Sequence, residues 1–498
     1  MNRQAGILMP ISSLPSSYGI GCFSEEAYEF VDFLHDSGQC IWQILPLCPT
    51  SIGDSPYQSP CSFAGNPYFI SPDRLAKDLL LTSDECVAYS AENDSRYVDY
   101  GRLYERRFPL LRLAYSRFSE SHKGEKYSAF LTENSFWLYD YALYCAIKKH
   151  LGDIPLSMWH SDLRRRDPSS LNEYRKNLSE DINFYIFLQY EFFTQWNELK
   201  SYANSRGIKI LGDLPIYVCA DSSDVWVSPE LFELDGDGIP LSVAGCPPDG
   251  FSPMGQLWGN PLYNWSEHKR SRYAFWVQRM SHAFKMYDIV RIDHFRGFES
   301  YYSIPYGAPD ARGGHWEKGA GRELFSEIEG SLGKHEIIAE DLGYITDGVR
   351  RLVKDCGFQG MKILQFGFDS NDFSSEYLPV NYEKDCVVYT GTHDNPTLKE
   401  WLCNMGESSE KMVRDYICDR ETPKEELAEK LIAVAQQSAA DICIIPIQDY
   451  LSTGHEGRMN TPSSSSGNWI WRAKKEDISK SLCKKVKHLT KIGNRLKL

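Results

Sequence analysis

The chain has 498 residues, of which 42% are hydrophobic and 24% are charged, and its formal net charge at pH 7 is −14. A chain of this length forms one large decorated domain or two to three ordinary ones, and its composition is that of a globular protein, not a disordered one. The acidic balance argues against nucleic acid as a partner, because binding a phosphate backbone requires clustered Lys and Arg.

Two further classes are disfavoured by the sequence. No apolar stretch reaches the roughly 18 residues that span a membrane, so we expect no membrane association. The N-terminal apolar run is short, is broken by Pro10 and lacks a cleavage-site pattern, which argues against a signal peptide. The fourteen Cys are scattered and include no C-x-x-C pair. We therefore expect free thiols in a reducing cytoplasm, with no disulfides and no metal site.

Aromatic residues make up 13% of the chain, including 30 Tyr and 12 Trp. Rings in such numbers either fill a large core or line a cleft that stacks on the flat faces of sugars. An acidic, ring-lined cleft suits neutral polysaccharides, because carboxylates accept hydrogen bonds from hydroxyl groups. Composition alone leaves both interpretations open.

Eight short apolar runs, several ending in polar or charged residues, follow one another along the chain. Segments long enough for a helix lie between the later runs, for example 348–356 and 425–437. Near-continuous apolar strands that alternate with helices predict a parallel sheet covered on both faces, and eight of them predict an α/β fold of the (β/α)8 TIM-barrel type. The runs are 6–14, 40–47, 208–218, 288–295, 336–343, 360–366, 386–394 and 442–451.

The spacing of these runs is uneven and predicts insertions in one catalytic domain, 1–498. About 160 residues separate the second run from the third. We predict that 54–207 forms a mainly helical subdomain between barrel strands 2 and 3. A second insertion, 219–287, contains the Gly- and Pro-rich segment 235–265, which we expect to be a long irregular loop.

Acidic residues occur at the C-terminal ends of five runs. In a barrel these ends converge on one mouth, where barrel enzymes place their chemistry. A single acid at such a point is as well explained by capping of the next helix, but convergent capping at all five is a poorer explanation. These residues are Asp213, Asp293, Glu340 with Asp341, Asp394 and Asp449.

The stretch "VRIDHFRGF" (290–298) places two ionisable side chains on one side of a strand, because Arg291 and Asp293 are two residues apart. A guanidinium group beside a carboxylate is expected to lower its pKa, which suits a nucleophile. Glu340 follows the apolar stretch 337–339 and is expected to have a raised pKa, as a general acid requires. Two carboxyl groups, one with a lowered pKa and one with a raised pKa, form the arrangement that cleaves glycosides. His393 and Asp394 are expected to form hydrogen bonds with sugar hydroxyl groups.

A magnesium site is the competing interpretation of these acids. Asp, Glu and Asp on successive barrel strands can hold Mg²⁺ for enolisation chemistry. The runs contain no obvious lysine base, and "GSLGK" (330–334) does not have P-loop spacing. This interpretation would also leave the aromatic content unexplained, so we favour glycoside chemistry.

At these residues the sequence resembles the 4-α-glucanotransferases of glycoside hydrolase family 77, also called amylomaltases or disproportionating enzymes. The resemblance covers nearly the whole chain. The stretches that carry it are 55–70, 212–226, 243–265, "RIDHFRGF" (291–298), "AEDLGYIT" (339–346), "GMKILQF" (360–366), "YTGTHDN" (389–395) and "GRMNTP…GNWIWR" (457–472).

The resemblance implies roles for individual side chains. Asp293 would be the nucleophile, Glu340 the general acid/base and Asp394 the stabiliser of the transition state. Arg291, His294 and His393 would contact the sugar at the cleavage point. Neighbouring subsites would be lined by Tyr57, Asp213, Gln256, Trp258 and Asn460. The segment 243–260 would arch over the cleft and cover the substrate. The sequence departs from the family pattern at Cys246, Gln359, Lys399–Glu400 and Ser463, none of which is one of the three carboxylates.

The implied activity is transfer of α-1,4-glucan segments from a donor chain to the 4-hydroxyl group of an acceptor glucan or glucose, with retention and no cofactor. Two alternatives remain open. An α-amylase-like hydrolase would use the same three carboxylates, and a glucan-binding protein without catalysis would use the same cleft. Whether the aromatic-rich insertion carries a second glucan site also stays open.

Overall fold

The computed structural model describes residues 3–51, 53–90, 96–118, 122–248, 252–369, 372–464 and 466–496. Its strands in chain order are β1 (Gln4–Leu8), β2 (Ile41–Gln43), β3 (Lys209–Leu214), β4 (Ser242–Cys246), β5 (Gln256–Pro261), β6 (Ile289–Ile292), β7 (Ser300–Pro305), β8 (His315–Lys318), β9 (Ile337–Ala339), β10 (Gly360–Ile363), β11 (Cys386–Tyr389) and β12 (Ile442–Pro446).

The α-helices before β4 include one of 27 residues, about 40 Å long. They are α1 (Glu25–Asp36), α2 (Pro72–Lys77), α3 (Ser83–Ser90), α4 (Tyr100–Arg117), α5 (Glu125–Glu133), α6 (Leu138–His150), α7 (Ser161–Arg164), α8 (Pro168–Asn177), α9 (Ser179–Ser205) and α10 (Ser223–Val227).

The remaining helices alternate with the later strands. They are α11 (Trp265–Arg270), α12 (Ala274–Met286), α13 (Gly321–Leu332), α14 (Asp347–Cys356), α15 (Leu364–Asp369), α16 (Leu398–Asn404), α17 (Glu407–Tyr416), α18 (Leu427–Gln437), α19 (Ile447–Leu451) and α20 (Lys480–Ile492).

Eight of the strands form one parallel sheet in the order β10-β11-β12-β1-β2-β3-β6-β9. The two ends of this sheet meet, because Ile338 of β9 forms a parallel bridge with Gln359, which directly precedes β10. Seven of the eight predicted apolar runs contain one of these strands, and the first run, 6–14, overlaps β1, which begins two residues earlier. The predicted (β/α)8 barrel is therefore confirmed. The strands are shorter than the runs, so the polar ends of the runs lie in the loops at the barrel mouth.

Helices α2 to α9 lie between β2 and β3, and the long helix α9 ends four residues before β3 begins. Helix α9 packs against α6, α4 and α8, and it also packs against α1 and β3. The division of the chain into a catalytic domain with a distinct subdomain over 54–207 stays a prediction. Residues 91–95 and 119–121 of that range lie outside the described part of the chain.

The expectation of a long irregular loop over 235–265 is wrong. Strands β4 and β5 form a four-stranded antiparallel sheet with β7 and β8, in the order β5-β4-β7-β8. Glycine permits this pairing, because a Cβ on Gly245 would lie only 2.1 Å from the carbonyl oxygen of Gln256. Gly255 turns the chain with a φ of 68°. Residues 249–251, the tip of the predicted covering loop, are outside the described ranges.

A buried arginine near the C-terminus joins the first and last strands at the N-terminal end of the barrel. The Arg495 guanidinium group is buried and, among the described residues, donates to five backbone carbonyl groups. Its acceptors are the carbonyl oxygens of Gln436 (2.7 Å), Ala440 (2.7 Å), Gln4 (3.1 Å), Asp441 (3.2 Å) and Ser438 (3.2 Å).

We expect Arg495→Ala to lower the free energy of unfolding by about 3 kcal/mol, because five hydrogen bonds from one buried guanidinium group are lost at once. Urea unfolding followed by circular dichroism measures this change. Arg420→Ala is the matched control, since Arg420 is exposed and forms one surface ion pair with Asp415. Its loss should cost below about 1 kcal/mol. Equal effects of the two substitutions would contradict this role of Arg495.

Candidate active site

Four of the six predicted acids meet at the mouth of the barrel. Adjacent strands bring three of them there, since Asp213 of β3 pairs in register with Arg291 of β6, and Arg291 with Ile338 of β9. Asp394 follows β11, and its charge acts on Asp293 from there. The hydrogen bonds between neighbouring strands continue past the strand ends, where the Asp293 amide donates to the carbonyl of Leu214. The Glu340 amide likewise donates to the carbonyl of Ile292 (3.0 Å). Asp293 and Glu340 thus leave neighbouring strands side by side.

The other two acids have structural partners. Asp341 accepts a hydrogen bond from the Met361 amide at 2.7 Å. Asp449 accepts from the Thr390 hydroxyl group (2.5 Å) and from the amide of Leu398 (2.7 Å), the first residue of α16. Asp449 lies inside α19 and bonds an amide of α16, whose N-cap is Thr397, so it does not cap the helix that follows its own strand.

Arg291 lies between two carboxylates. Its side chain is 3% exposed, its Nη1 lies 2.7 Å from both oxygens of Asp213, and its Nη2 lies 3.0 Å from Asp293. The predicted pairing of Arg291 with Asp293 is confirmed. The second partner, Asp213, means that one buried cation is shared by two anions.

The expected lowering of the Asp293 pKa is wrong in direction. Burial raises the pKa of Asp293 to about 6, and the favourable charge of Arg291 does not outweigh this because Asp213 and Asp394 add negative charge. The carboxyl group is nevertheless mostly ionised at neutral pH. The sequence showed the neighbouring cation but not the depth of burial.

Unlike Asp293, Glu340 is protonated at neutral pH, as expected. Burial, and next the negative charge of Asp293, raise the pKa of Glu340 to about 8. Its oxygens accept from the amides of His294 (2.7 Å) and Leu342 (3.0 Å). His294 takes a left-handed φ of 50° to present its amide, a conformation that costs a non-glycine residue energy. At neutral pH this site therefore holds a protonated carboxyl group beside a largely ionised one.

The His294 ring forms part of the site on the side of Glu340. Burial and the nearby Arg296 lower its pKa to about 3, so the imidazole is neutral. Its edge packs on the ring of Trp258 at a centroid distance of 4.8 Å, and its buried Nε2 has no hydrogen-bond partner within the described residues. Trp258 Nε1 donates to Gln256 Oε1 at 3.0 Å, so these two β5 residues share one face.

Asp394 differs from the other two carboxylates. Its Oδ2 lies 3.2 Å from His393 Nε2, and its Oδ1 accepts from Asn460 Nδ2 at 2.6 Å. Burial acts to raise its pKa, but His393 and Asn460 outweigh burial and lower it to about 2. The backbone is held as well, because the Asn460 amide donates to the His393 carbonyl at 3.1 Å. Asp394 is therefore a permanent anion, and its side chain is 42% exposed to the cleft.

Tyr57 connects the two halves of the site. Its hydroxyl group donates to Asp213 at 2.6 Å and lies 3.0 Å from His393 Nε2. Its ring stacks on His393 at 5.4 Å and contacts Trp469 at 5.6 Å. Trp469 was not among the predicted site residues, although it lies in the stretch "GNWIWR" that carried the resemblance. The contact between the rings of Tyr57 and Trp469 would have identified Trp469 as a site residue, but it joins residues more than 400 positions apart in the sequence.

Among the described residues, no group of three or more His, Cys, Asp or Glu side chains is arranged to hold a metal ion. Within the same part of the chain, none of the helices combines the length and hydrophobicity that a bilayer crossing requires. Each of the fourteen cysteines is a free thiol.

Comparison with known proteins identifies the family. A family model described as 4-alpha-glucanotransferase matches residues 9–478. This chain belongs to the 4-alpha-glucanotransferase family. The 4-alpha-glucanotransferase of Clostridium butyricum is 46% identical over 490 residues, which cover 98% of this chain and 100% of the relative. That of Streptococcus pneumoniae is 44% identical over 497 residues, covering 99% and 98%.

A solved structure shows the same fold. The amylomaltase from Streptococcus agalactiae in complex with acarbose has a TM-score of 0.96 to this chain at 42% identity, covering 99% of this chain and 100% of that one. The resemblance to glycoside hydrolase family 77 is therefore confirmed. As a 4-alpha-glucanotransferase family member, the chain is an enzyme of the glycosyl-transferring type.

The raised pKa of Glu340 predicts how the stability of the folded protein depends on pH. Since Glu340 holds its proton up to about pH 8 when folded but loses it near pH 4.5 when unfolded, the wild type loses stability as the pH rises between these values. We expect Glu340→Gln, which does not titrate, to gain stability relative to the wild type from pH 5 to 8. Urea unfolding at several pH values measures this difference.

Glu191→Gln is the matched control for that titration. Glu191 is buried in α9, and burial together with Asp78 also raises its pKa to about 8. Both variants should gain relative stability with rising pH, but only Glu340→Gln should lose activity. A pH-independent stability difference for Glu340→Gln would show that Glu340 ionises normally in the folded protein.

Proposed function

We propose that this chain is a retaining 4-α-glucanotransferase that moves segments of α-1,4-glucan from a donor chain to the 4-hydroxyl group of an acceptor glucan or glucose. The observation that carries the proposal is the pair Asp293 and Glu340. They lie on adjacent strand ends, and their pKa values of about 6 and about 8 leave one ionised and one protonated at neutral pH. This is the charge state that the first step of double displacement requires.

In the first step, a carboxylate oxygen of Asp293 attacks the anomeric carbon of the donor. The bond from that carbon to the glycosidic oxygen breaks, and Glu340 gives its proton to the departing oxygen. The shortened glucan leaves, and the transferred segment remains as an ester on Asp293. Arg291 balances the negative charge of Asp293 before the attack.

In the second step, Glu340 is a carboxylate and takes the proton of the acceptor 4-hydroxyl group. That oxygen attacks the anomeric carbon from the other face, the ester bond to Asp293 breaks, and both carboxyl groups return to their first state. Two inversions restore the α configuration. The mechanism requires a separation of roughly 5–5.5 Å between the two carboxyl groups.

The remaining side chains bind the sugar at the point of cleavage. We assign Asp394 to the stabilisation of positive charge on the sugar ring, because its low pKa keeps it anionic. His294 presents a neutral ring with a free nitrogen, suited to a sugar hydroxyl group. Arg291 and His393 are likewise assigned to the sugar at the cleavage point, and Tyr57, Asp213, Gln256, Trp258 and Asn460 to neighbouring subsites.

Transfer requires that an acceptor sugar compete with water, which is present at about 55 M. A well-oriented acceptor reaches an effective concentration on the order of 10⁵ M, which is enough to win. We assign this orientation to the rings of Trp258 and Tyr57, with 243–260 covering the cleft. Residues 249–251 of that segment lie outside the described ranges.

The proposal extends to partners and location. The substrates are α-1,4-glucans, including maltooligosaccharides, amylose and starch or glycogen chains, together with glucose. We propose a cytoplasmic enzyme, which is supported by the fourteen free thiols, since a reducing compartment maintains them. We also propose one catalytic domain over 1–498 with an inserted helical subdomain over 54–207.

Maltotriose as sole substrate tests transfer directly. We expect glucose and longer glucans to form while the total number of reducing ends stays constant. A rising number of reducing ends with only shortened products would indicate a hydrolase instead. Chromatography of the products, with reducing ends counted over time, separates the two outcomes.

Asp293→Asn should lower kcat with maltotriose at least about 10⁴-fold, because an amide cannot form the ester intermediate. Asp341→Asn is the matched control, since Asp341 also follows β9 but bonds the Met361 amide. It should keep most of the activity. Similar losses in both variants would contradict the assignment of the nucleophile.

The pH dependence of kcat/KM should be bell-shaped. We expect the rate to fall below about pH 6 as Asp293 gains a proton, and above about pH 8 as Glu340 loses one. The two limbs belong to the coupled pair. A rate that still rises at pH 9 would contradict a protonated Glu340 as the acid.

A further inference from the structure

Two exposed aromatic side chains contact one another beside the candidate active site. Trp316 on β8 is 37% exposed, and Tyr344, in the loop after β9, is 71% exposed. Their ring centroids lie 6.5 Å apart and their planes are within 21° of parallel. Large apolar groups that cluster in solvent, rather than occur singly, mark binding surfaces. None of the roles proposed above uses these two rings.

The pair is held in place from below by a buried arginine. The guanidinium group of Arg296 lies 3.7 Å from the centre of the Trp316 ring. It donates to the carbonyl of Tyr344 at 2.6 Å and to the Ser300 hydroxyl group at 3.0 Å. The edge of Trp316 also packs on Tyr302 at 5.1 Å. The Trp316 ring and the backbone of Tyr344 are therefore held before a ligand arrives, which lowers the entropy cost of binding.

The position of the pair relates it to the reaction centre. Tyr344 follows Glu340 by four residues, so their Cα atoms are at most about 14 Å apart. Trp316 lies on β8, one edge of the small sheet, whereas Trp258 lies on β5, the opposite edge. Three strand spacings place these edges about 14 Å apart. The pair is thus close to Glu340 in the chain but about 14 Å from the strand that carries Trp258.

We propose that Trp316 and Tyr344 form an outlying subsite for a glucose unit of a long linear α-1,4-glucan, several units from the bond that is cleaved. The inference rests on the proposed function and deepens it by naming residues that select long chains. The C–H face of a glucose ring fits a flat, exposed aromatic surface. An anion is a poorer occupant, because Arg296 is buried beneath the rings and both of its terminal nitrogens already donate.

The test compares substrates of different length. Tyr344→Ala and Trp316→Leu should each lower the ratio of kcat/KM on amylose to kcat/KM on maltotriose by roughly five- to tenfold, as the loss of one apolar ring contact implies. Trp316→Leu keeps a side chain to pack on Tyr302. Tyr344→Phe and Trp316→Phe retain a flat ring and should restore the wild-type ratio, which a purely structural role does not predict.

Tyr306→Ala is the matched control, because Tyr306 is 55% exposed and follows β7 of the same sheet without contacting the pair. It should leave the ratio unchanged. Titration calorimetry of maltoheptaose into the Asp293→Asn protein should show weaker binding by roughly the same factor when Tyr344→Ala or Trp316→Leu is added.

The outcomes separate this inference from the proposed function. An unchanged ratio in both Tyr344→Ala and Trp316→Leu, or an equal change in Tyr306→Ala, would overturn the subsite while leaving transfer intact. Absence of transfer by the wild-type protein on maltotriose would overturn the proposed function itself, and maltoheptaose binding would then still report on the rings.

Discussion

The buried guanidinium group of Arg291 is the interaction on which the rest of the site depends. Four acidic side chains meet at the barrel mouth, and burial of so many carboxylates would by itself drive protons onto them. Arg291 is held 2.7 Å from Asp213 and 3.0 Å from Asp293. Burial and, next, the negative charge of Asp293 keep the proton on Glu340, because one cation for two close anions leaves residual negative charge. The charge pattern of the site follows from this shortage of positive charge.

The three proposed catalytic carboxyl groups acquire different properties because their surroundings differ. Asp394 has two dedicated partners, His393 and Asn460, and is an anion at any physiological pH. Asp293 shares its cation and has an intermediate pKa. Glu340 is buried, accepts hydrogen bonds from backbone amides and has a negative neighbour, so it keeps its proton and is the acid. A barrel achieves this because adjacent strand ends bring side chains together at spacings set by the backbone.

Some of this arrangement was predictable from the sequence. The eight apolar runs gave the barrel, because strands buried on both faces are nearly continuous in hydrophobic residues. The two-residue spacing of Arg291 and Asp293 gave their pairing, and the apolar approach to Glu340 gave the direction of its pKa. In each case the signal was local, since residues close in the sequence determined the outcome.

Features that depend on distant contacts were not predictable. The pKa of Asp293 moved opposite to our expectation, because its burial and its proximity to Asp213 and Asp394 are properties of the assembled barrel. Strands β4 and β5 were hidden by glycine and proline, which are rare in isolated strand patterns but tolerated where backbones approach closely. The structural partners of Asp341 and Asp449 and the ring of Trp469 likewise come from other parts of the chain.

The most direct test is to trap the ester that the account places on Asp293. A fluorinated α-glucosyl fluoride, which slows the second step, should leave one glucosyl group on the protein, detectable by intact mass and mapped by peptide sequencing in the mass spectrometer. The account predicts that the label is found on Asp293. A label on Glu340 or Asp394, or turnover through an unlabelled enzyme, would contradict it.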